Sequence, residues 1–230
     1  MTSETVPIEA VFLDVGGPIY DDDNFLRAAV VATDELRAEQ GMGPADPAAV
    51  RELYDRVRNH GGSLRGSIAR ELLGHERLRD ALHERIRDHW VHPEGSLYDD
   101  VLPLLSALHG TVPIGILANQ ERSVIEALER DGVAPFVDVW GVSAVVGYEK
   151  PDPRLFHWCL AQAGVDATRA LHIGNRLDND VRPASALGLR TVWVLRGEAP
   201  DDPSPEERAE ADLVVPDLRT VEEFVRGGRR

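Results

Sequence analysis

Six short apolar runs punctuate this chain: Ala10-Val-Phe-Leu13, Val112-Pro-Ile-Gly-Ile-Leu117, Val137 to Val142, Ala170-Leu-His-Ile173, Thr191-Val-Trp-Val-Leu195 and Leu213-Val-Val215. Each is brief and nearly continuous, the pattern of a strand buried on both faces in a parallel sheet. Helix-like segments separate most of them, such as Ser123 to Arg130 closed by Gly132, and Pro183 to Leu187 closed by Gly188. Alternation of this kind predicts an α/β fold with a doubly wound, Rossmann-like parallel sheet. Residues 22–92 break the pattern, carrying helical periodicity over Asn24 to Glu39, Pro47 to Asn59 and His75 to Trp90, with no convincing strand. Breaks fall at Gly41-Met-Gly-Pro44, Gly61-Gly62 and Gly74, and Pro93-Glu-Gly95 marks the return. The expected organisation is therefore a core of residues 1–21 and 93–230 with a helical insertion over 22–92. The stretch from Gly197 to Ala211 reads as a loop with a short helix.

Charge narrows the partners. The formal net charge is -15 and no basic run offsets it, which argues against nucleic acid and favours a small-molecule substrate. Cys159 stands alone, so no intramolecular disulfide can form, and Met1 to Ala10 has neither a basic start nor an apolar stretch. A cytoplasmic protein is expected. No apolar stretch approaches the length of a membrane span. A homodimer or a small partner protein is compatible with these features.

Lys150 is the only lysine, set against 24 arginines. Retaining one ammonium in so arginine-rich a chain points to a compact site that a guanidinium does not fit. It precedes Asp152, an expected N-cap, and Pro153, in the first turn of a helix over Arg154 to Ala163. In a doubly wound sheet, ligands bind outside the carboxyl ends of the strands. The residues there are Asp14-Val15-Gly16-Gly17-Pro18, Ala118-Asn119-Gln120, Lys150, and Gly174-Asn175-Arg176-Leu177-Asp178-Asn179-Asp180.

These four segments, in this order, resemble the haloacid dehalogenase-like (HAD) superfamily. The resemblance covers nearly the whole chain and puts residues 22–92 in the place of that family's helical cap. It implies that Asp14 is the nucleophile or a base, that Lys150 steadies Asp14 and the substrate's charge, and that Asp180 or Asp178 is the second acid. One ion pair at about 4 Å is worth on the order of 4 kcal/mol at an effective dielectric near 20, enough to favour an ionised Asp14. Gly16, Gly17, Ala118, Asn119, Arg176 and Asp178 are the expected substrate-side residues.

Three departures alter the chemistry that the resemblance implies. Family phosphatases carry a second Asp where this chain has Gly16, a Ser or Thr where it has Ala118, and a magnesium-binding Asp where it has Asn175, a neutral and poorer ligand for a hard cation. The 2-haloacid dehalogenases also lack the second Asp, yet they carry an aromatic residue in place of Gly16 and a hydroxyl in place of Ala118. Phosphonatases need a cap lysine, and Lys150 is the sole lysine. The expectation is a metal-independent enzyme, without cofactor, that expels halide or sulfate from a small polar metabolite. Its catalytic residues would be Asp14, Lys150, Asn175 and Asp180, with ring closure to an aziridine in natural-product biosynthesis as one form. The alternatives are a magnesium-dependent phosphatase and a non-catalytic partner-binding protein.

Other residues read as structural. Tyr20-Asp21-Asp22-Asp23 resembles a hinge with Asp22 or Asp23 as helix cap, His89 and His92 lack a third ligand, and Cys159 lies among apolar neighbours.

Overall fold

The structure, a computed structural model, describes residues 6–21 and 23–227. In chain order its elements begin with β1 (Ala10–Leu13), α1 (Asp23–Glu39), α2 (Pro47–His60), α3 (Leu64–Glu71), α4 (Arg79–His89), α5 (Val101–Leu108), β2 (Ile114–Ala118), α6 (Ser123–Arg130) and β3 (Val139–Val142). They continue through α7 (Ser143–Val146), α8 (Pro153–Ala163), β4 (Ala170–Gly174), α9 (Arg182–Ala186), β5 (Arg190–Val194), α10 (Pro205–Arg208), β6 (Leu213–Val215) and α11 (Val221–Gly227). The chain divides into two compact units, Met1–Asp21 with Glu94–Ala199 and Pro203–Arg230, and Asp22–Pro93 with Pro200–Asp202.

In the first unit all six strands pair in parallel, in the order β3-β2-β1-β4-β5-β6. The twofold strand period sorts their side chains into separate cores. Val11, Leu13, Ile114, Ile116, Leu171, Ile173, Val192 and Val194 pack on one face with α5, α6 and α11. Ala10, Phe12, Leu117 and Ala170 pack on the other with Leu155, Phe156 and Cys159 of α8 and Ala184 of α9. Helices on both faces explain why β1 is buried along its whole length. Because the strands are parallel, the residues following each of them meet at one edge, and the strand order reverses beside β1.

The second unit packs α1 to α4 around Ala29, Ala32, Val50, Ile68, Leu82 and Ile86. Asp46 caps α2 through Ala48 N at 2.9 Å, with Pro47 at its start, and Ser63 caps α3 through Gly66 N at 3.2 Å. Helix α3 escapes the periodicity because it is short and contains Gly66 and Ser67, weak helix formers that are buried here. The single helix expected over His75 to Trp90 divides into a 3-10 turn, Glu76–Leu78, followed by α4. Helix α1 starts at Asp23, whereas Asp22 lies outside the described residues. His89 Nε2 lies 2.8 Å from Glu35 Oε1, a link between α4 and α1. Pro200–Asp202 joins these helices rather than the sheet because Asp201 bonds both Arg58 (2.5 Å) and Asn59 (3.0 Å). Among the described residues no helix is long and apolar enough to cross a membrane.

Close packing of β3 on α8 depends on Gly141, where an added Cβ would lie 2.2 Å from Cys159 Sγ and 2.7 Å from Ile116 O. Gly141→Ala should lower the unfolding free energy by about 2 kcal/mol, measured by denaturant titration. Unchanged stability would contradict this packing.

Candidate active site

Two glycines let the strand-end loops close on one another. Asp14 N donates to Ile173 O at 2.9 Å, extending the β1–β4 ladder by one residue, and the chain then turns at Gly17 with φ +86°. A Cβ on Gly17 would sit 2.2 Å from Asn175 Nδ2, and one on Gly174 would sit 2.3 Å from Asp180 Cβ. After β4, one π-turn, Leu177–Val181, brings Asp180 back against the strand end. There Asp180 Oδ2 accepts from the backbone N–H groups of Asn175 (3.2 Å) and Arg176 (3.0 Å). Lys150 arrives from the other side, its backbone clamped by Asn119: Oδ1 accepts from Lys150 N at 2.7 Å and Nδ2 donates to Lys150 O at 2.8 Å. Asp152 caps α8 through Arg154 N at 2.9 Å, with Pro153 as its first residue.

The geometry brings Asp14, Lys150 and Asp180 into one cluster. Lys150 Nζ lies 2.9 Å from Asp14 Oδ1 and 2.5 Å from Asp180 Oδ1; the three side chains are 2%, 14% and 0% exposed for Lys150, Asp14 and Asp180. His172 Nε2 adds a contact to Asp180 Oδ1 at 3.1 Å. With the His172 proton on Nε2, Asp180 faces four donors, which fill the acceptor positions of one carboxylate. Burial alone raises the Asp180 carboxyl, but the Lys150 ammonium and the His172 hydrogen bond outweigh it and hold the group well below the usual carboxylate range. Burial likewise opposes the charge on Lys150, and Asp14 with Asp180 reverse that, raising its value. For Asp14 burial wins: its carboxyl is raised despite Lys150, and Asp180 adds to the rise. One ammonium between two carboxylates thus produces a fixed anion and a more basic, partly exposed one.

The remaining expected residues are placed differently. Asp178, one of two candidates for the second acid, lies away from Lys150; its oxygens meet Arg176 Nε at 3.0 Å and Nη2 at 2.7 Å. Arg176 also meets Glu198 at 3.0 Å, so its guanidinium is engaged within the chain rather than turned to an incoming anion. Asn119 is likewise committed to the Lys150 backbone instead of a substrate. Ala118 is fully buried at the end of β2, and Gly16 forms an isolated bridge with Tyr20. Cys159 is buried and its thiol is pushed up to about 12 by burial, as befits a packing residue. His172 was not singled out by sequence pattern, although a lone imidazole in the run Ala170-Leu-His-Ile173 is its signal.

The residues present do not fit the magnesium ion that the family resemblance implies for phosphatases. Gly16 offers no carboxylate, Asp180 is engaged by its donors, and Asn175, whose Nδ2 donates to Arg196 O at 3.0 Å, presents only a neutral amide oxygen, a poorer ligand than a carboxylate. Among the described residues no three His, Cys, Asp or Glu side chains are grouped to hold a metal.

A family model for haloacid dehalogenase-like hydrolases matches residues 8–188. The chain belongs to the haloacid dehalogenase-like hydrolase family. Among its relatives, the glyceraldehyde 3-phosphate phosphatase of Methanopyrus kandleri is 29% identical over 222 residues, covering 84% of this chain and 87% of that one. The phosphoserine phosphatase of Thermus thermophilus is 34% identical over 145 residues, covering 63% of this chain and 55% of that enzyme, about half its length. The crystal structure of a 2-haloacid dehalogenase from Pseudomonas syringae pv. Tomato shares the fold with a TM-score of 0.60 at 23% identity, covering 96% of this chain and 99% of that one. This haloacid dehalogenase-like hydrolase thus shares its fold with enzymes named for two different leaving groups.

Asp180→Asn in this hydrolase turns an amide N–H toward donors that now meet a carboxylate, and should cost about 3 kcal/mol of stability at neutral pH. Since the folded-state value of Asp180 is depressed, its contribution is complete above the unfolded carboxylate value near ~4 and is lost as pH falls through the folded one. The gap between native and variant in urea titrations should therefore narrow below about pH 4. A gap that widens on acidification would contradict the assignment.

Proposed function

We propose that this hydrolase expels halide or sulfate from carbon in a small polar metabolite without a metal, using Asp14 as general base. The observation that carries this reading is the full occupancy of Asp180. Were Asp14 the nucleophile, its ester would need a second group to activate water. In the α/β unit, Gly16 has no side chain and Asp180 has no acceptor position left. A base meets no such obstacle: Asp14 is raised by burial, partly exposed, and held by one oxygen to Lys150. In the step, Asp14 takes the proton from an N–H or O–H of the substrate as that atom attacks the neighbouring carbon, and the carbon–leaving-group bond breaks to release the anion. The proton then passes from Asp14 to water. With an amine as attacking group, the product is a strained ring such as an aziridine.

The names of the sequence relatives favour a second reading, a magnesium-dependent phosphatase acting on a small phosphate ester. Gly16 and Asn175 speak against it, since Gly16 carries no group to deliver a proton to the leaving oxygen and Asn175 offers a hard cation a neutral amide in place of a carboxylate.

Anion release from 2-haloalkylamines and 2-aminoalkyl sulfates in EDTA, set beside phosphate release from p-nitrophenyl phosphate with magnesium, separates the two. The expected outcome is halide or sulfate release that chelator leaves unchanged and that Asp14→Asn lowers by about 100-fold or more. Magnesium-dependent phosphate release with no other anion released would overturn the reading.

A further inference from the structure

His172 touches the site, yet the displacement step gives it no task. It lies in β4 with 1% exposure, in register with Phe12 of β1 and Thr191 of β5, and the ring of Phe156 meets it edge-on with centroids 5.5 Å apart. Nε2 is 3.1 Å from Asp180 Oδ1, whereas Nδ1 is buried with no hydrogen-bond partner among the described residues. A proton on Nδ1 would be a buried donor without an acceptor, so the arrangement that leaves the fewest donors unsatisfied carries the proton on Nε2. The imidazole then donates to the same carboxylate oxygen that accepts from Lys150 Nζ. Without that donor, Asp180 Oδ1 would depend on Lys150 alone and would draw the ammonium away from Asp14.

We propose that His172 is a positioning residue, whose Nε2–H fills one acceptor position of Asp180 and so keeps the Lys150 ammonium divided between Asp180 and Asp14. The inference rests on the reading of Asp14 as the working carboxylate. The charged or titratable groups around this contact are Asp14 after β1, Lys150 after α7, Cys159 of α8 beside Lys150, and Asp180 itself.

Two nuclear magnetic resonance measurements test it, neither of which requires turnover. In the unmodified protein, the imidazole nitrogens of His172 should show Nε2 protonated and Nδ1 bare at neutral pH. The Asp14 carboxyl, assigned by its loss in Asp14→Asn, should titrate higher by ~0.5 pH unit or more in His172→Phe. In His172→Gln, whose amide N–H reaches toward the same oxygen, it should return toward the native midpoint. A proton on Nδ1 overturns the proposal. So does an unchanged or lowered Asp14 midpoint in His172→Phe, or an equal rise in both variants. If these results hold while no halide or sulfate is released in EDTA, the displacement reaction fails and the positioning contact stands.

Discussion

A single ammonium buried between two carboxylates governs the site. Removing one such ion from water costs several kcal/mol even after the protein relaxes, so Lys150 is tolerable only because Asp14 and Asp180 both lie within hydrogen-bond reach. Two carboxylates beside one ammonium leave a net negative charge in a poorly solvated place, and the protein distributes it unequally. Asp180 is surrounded by two backbone N–H groups, the imidazole of His172 and Lys150, and stays anionic. Asp14 keeps only part of the compensation and becomes the better proton acceptor. A pair of like groups driven apart by their surroundings is the general means by which one site separates a structural anion from a reactive one.

The fold is what makes that distribution possible. Parallel pairing sends the ends of β1 and β4 to the same edge, where the backbone of Asp14 bonds Ile173 and the π-turn after β4 returns Asp180 to Gly174. Absence of a Cβ at Gly17 and Gly174 permits an approach that any side chain would block. Asn175 is held twice, its backbone carbonyl by Trp193 Nε1 of β5 at 2.9 Å and its side-chain amide by Arg196 O just after β5, and Arg196 in turn is paired with the buried Asp100. An aspartate at position 175 would meet Arg196 O with an oxygen instead of a donor. The neutral side chain is thus built into the loop's own hydrogen bonding.

Much of this was legible in the chain. Apolar runs located every strand to within a few residues, because strands buried on both faces leave an uninterrupted apolar signature. Asp14 and Lys150 stood out through their place after a strand and through the isolation of the only lysine. Sequence favoured Asp180 over Asp178 as the second acid without excluding Asp178, because the π-turn that sets which of them faces Lys150 has no signature in the chain. Nor was the engagement of Asn119 with the Lys150 backbone, a contact across 31 positions of sequence. His172 was hidden by its own setting: a polar residue inside an apolar strand reads as packing until its partner is known. Helix α3 was missed because burial, not propensity, stabilises Gly66 and Ser67 in a helix.

Family membership leaves the leaving group open, because the sequence relatives are named as phosphatases while a 2-haloacid dehalogenase shares the fold. The distinction lies in what balances the charge at Asp14, the lysine ammonium alone or a divalent cation beside it. Isothermal calorimetry of magnesium into the native protein at neutral pH measures this directly. The account predicts no stoichiometric binding at this site. One-to-one binding that disappears in Asp14→Asn would contradict it and return the chain to metal-dependent phosphoryl chemistry.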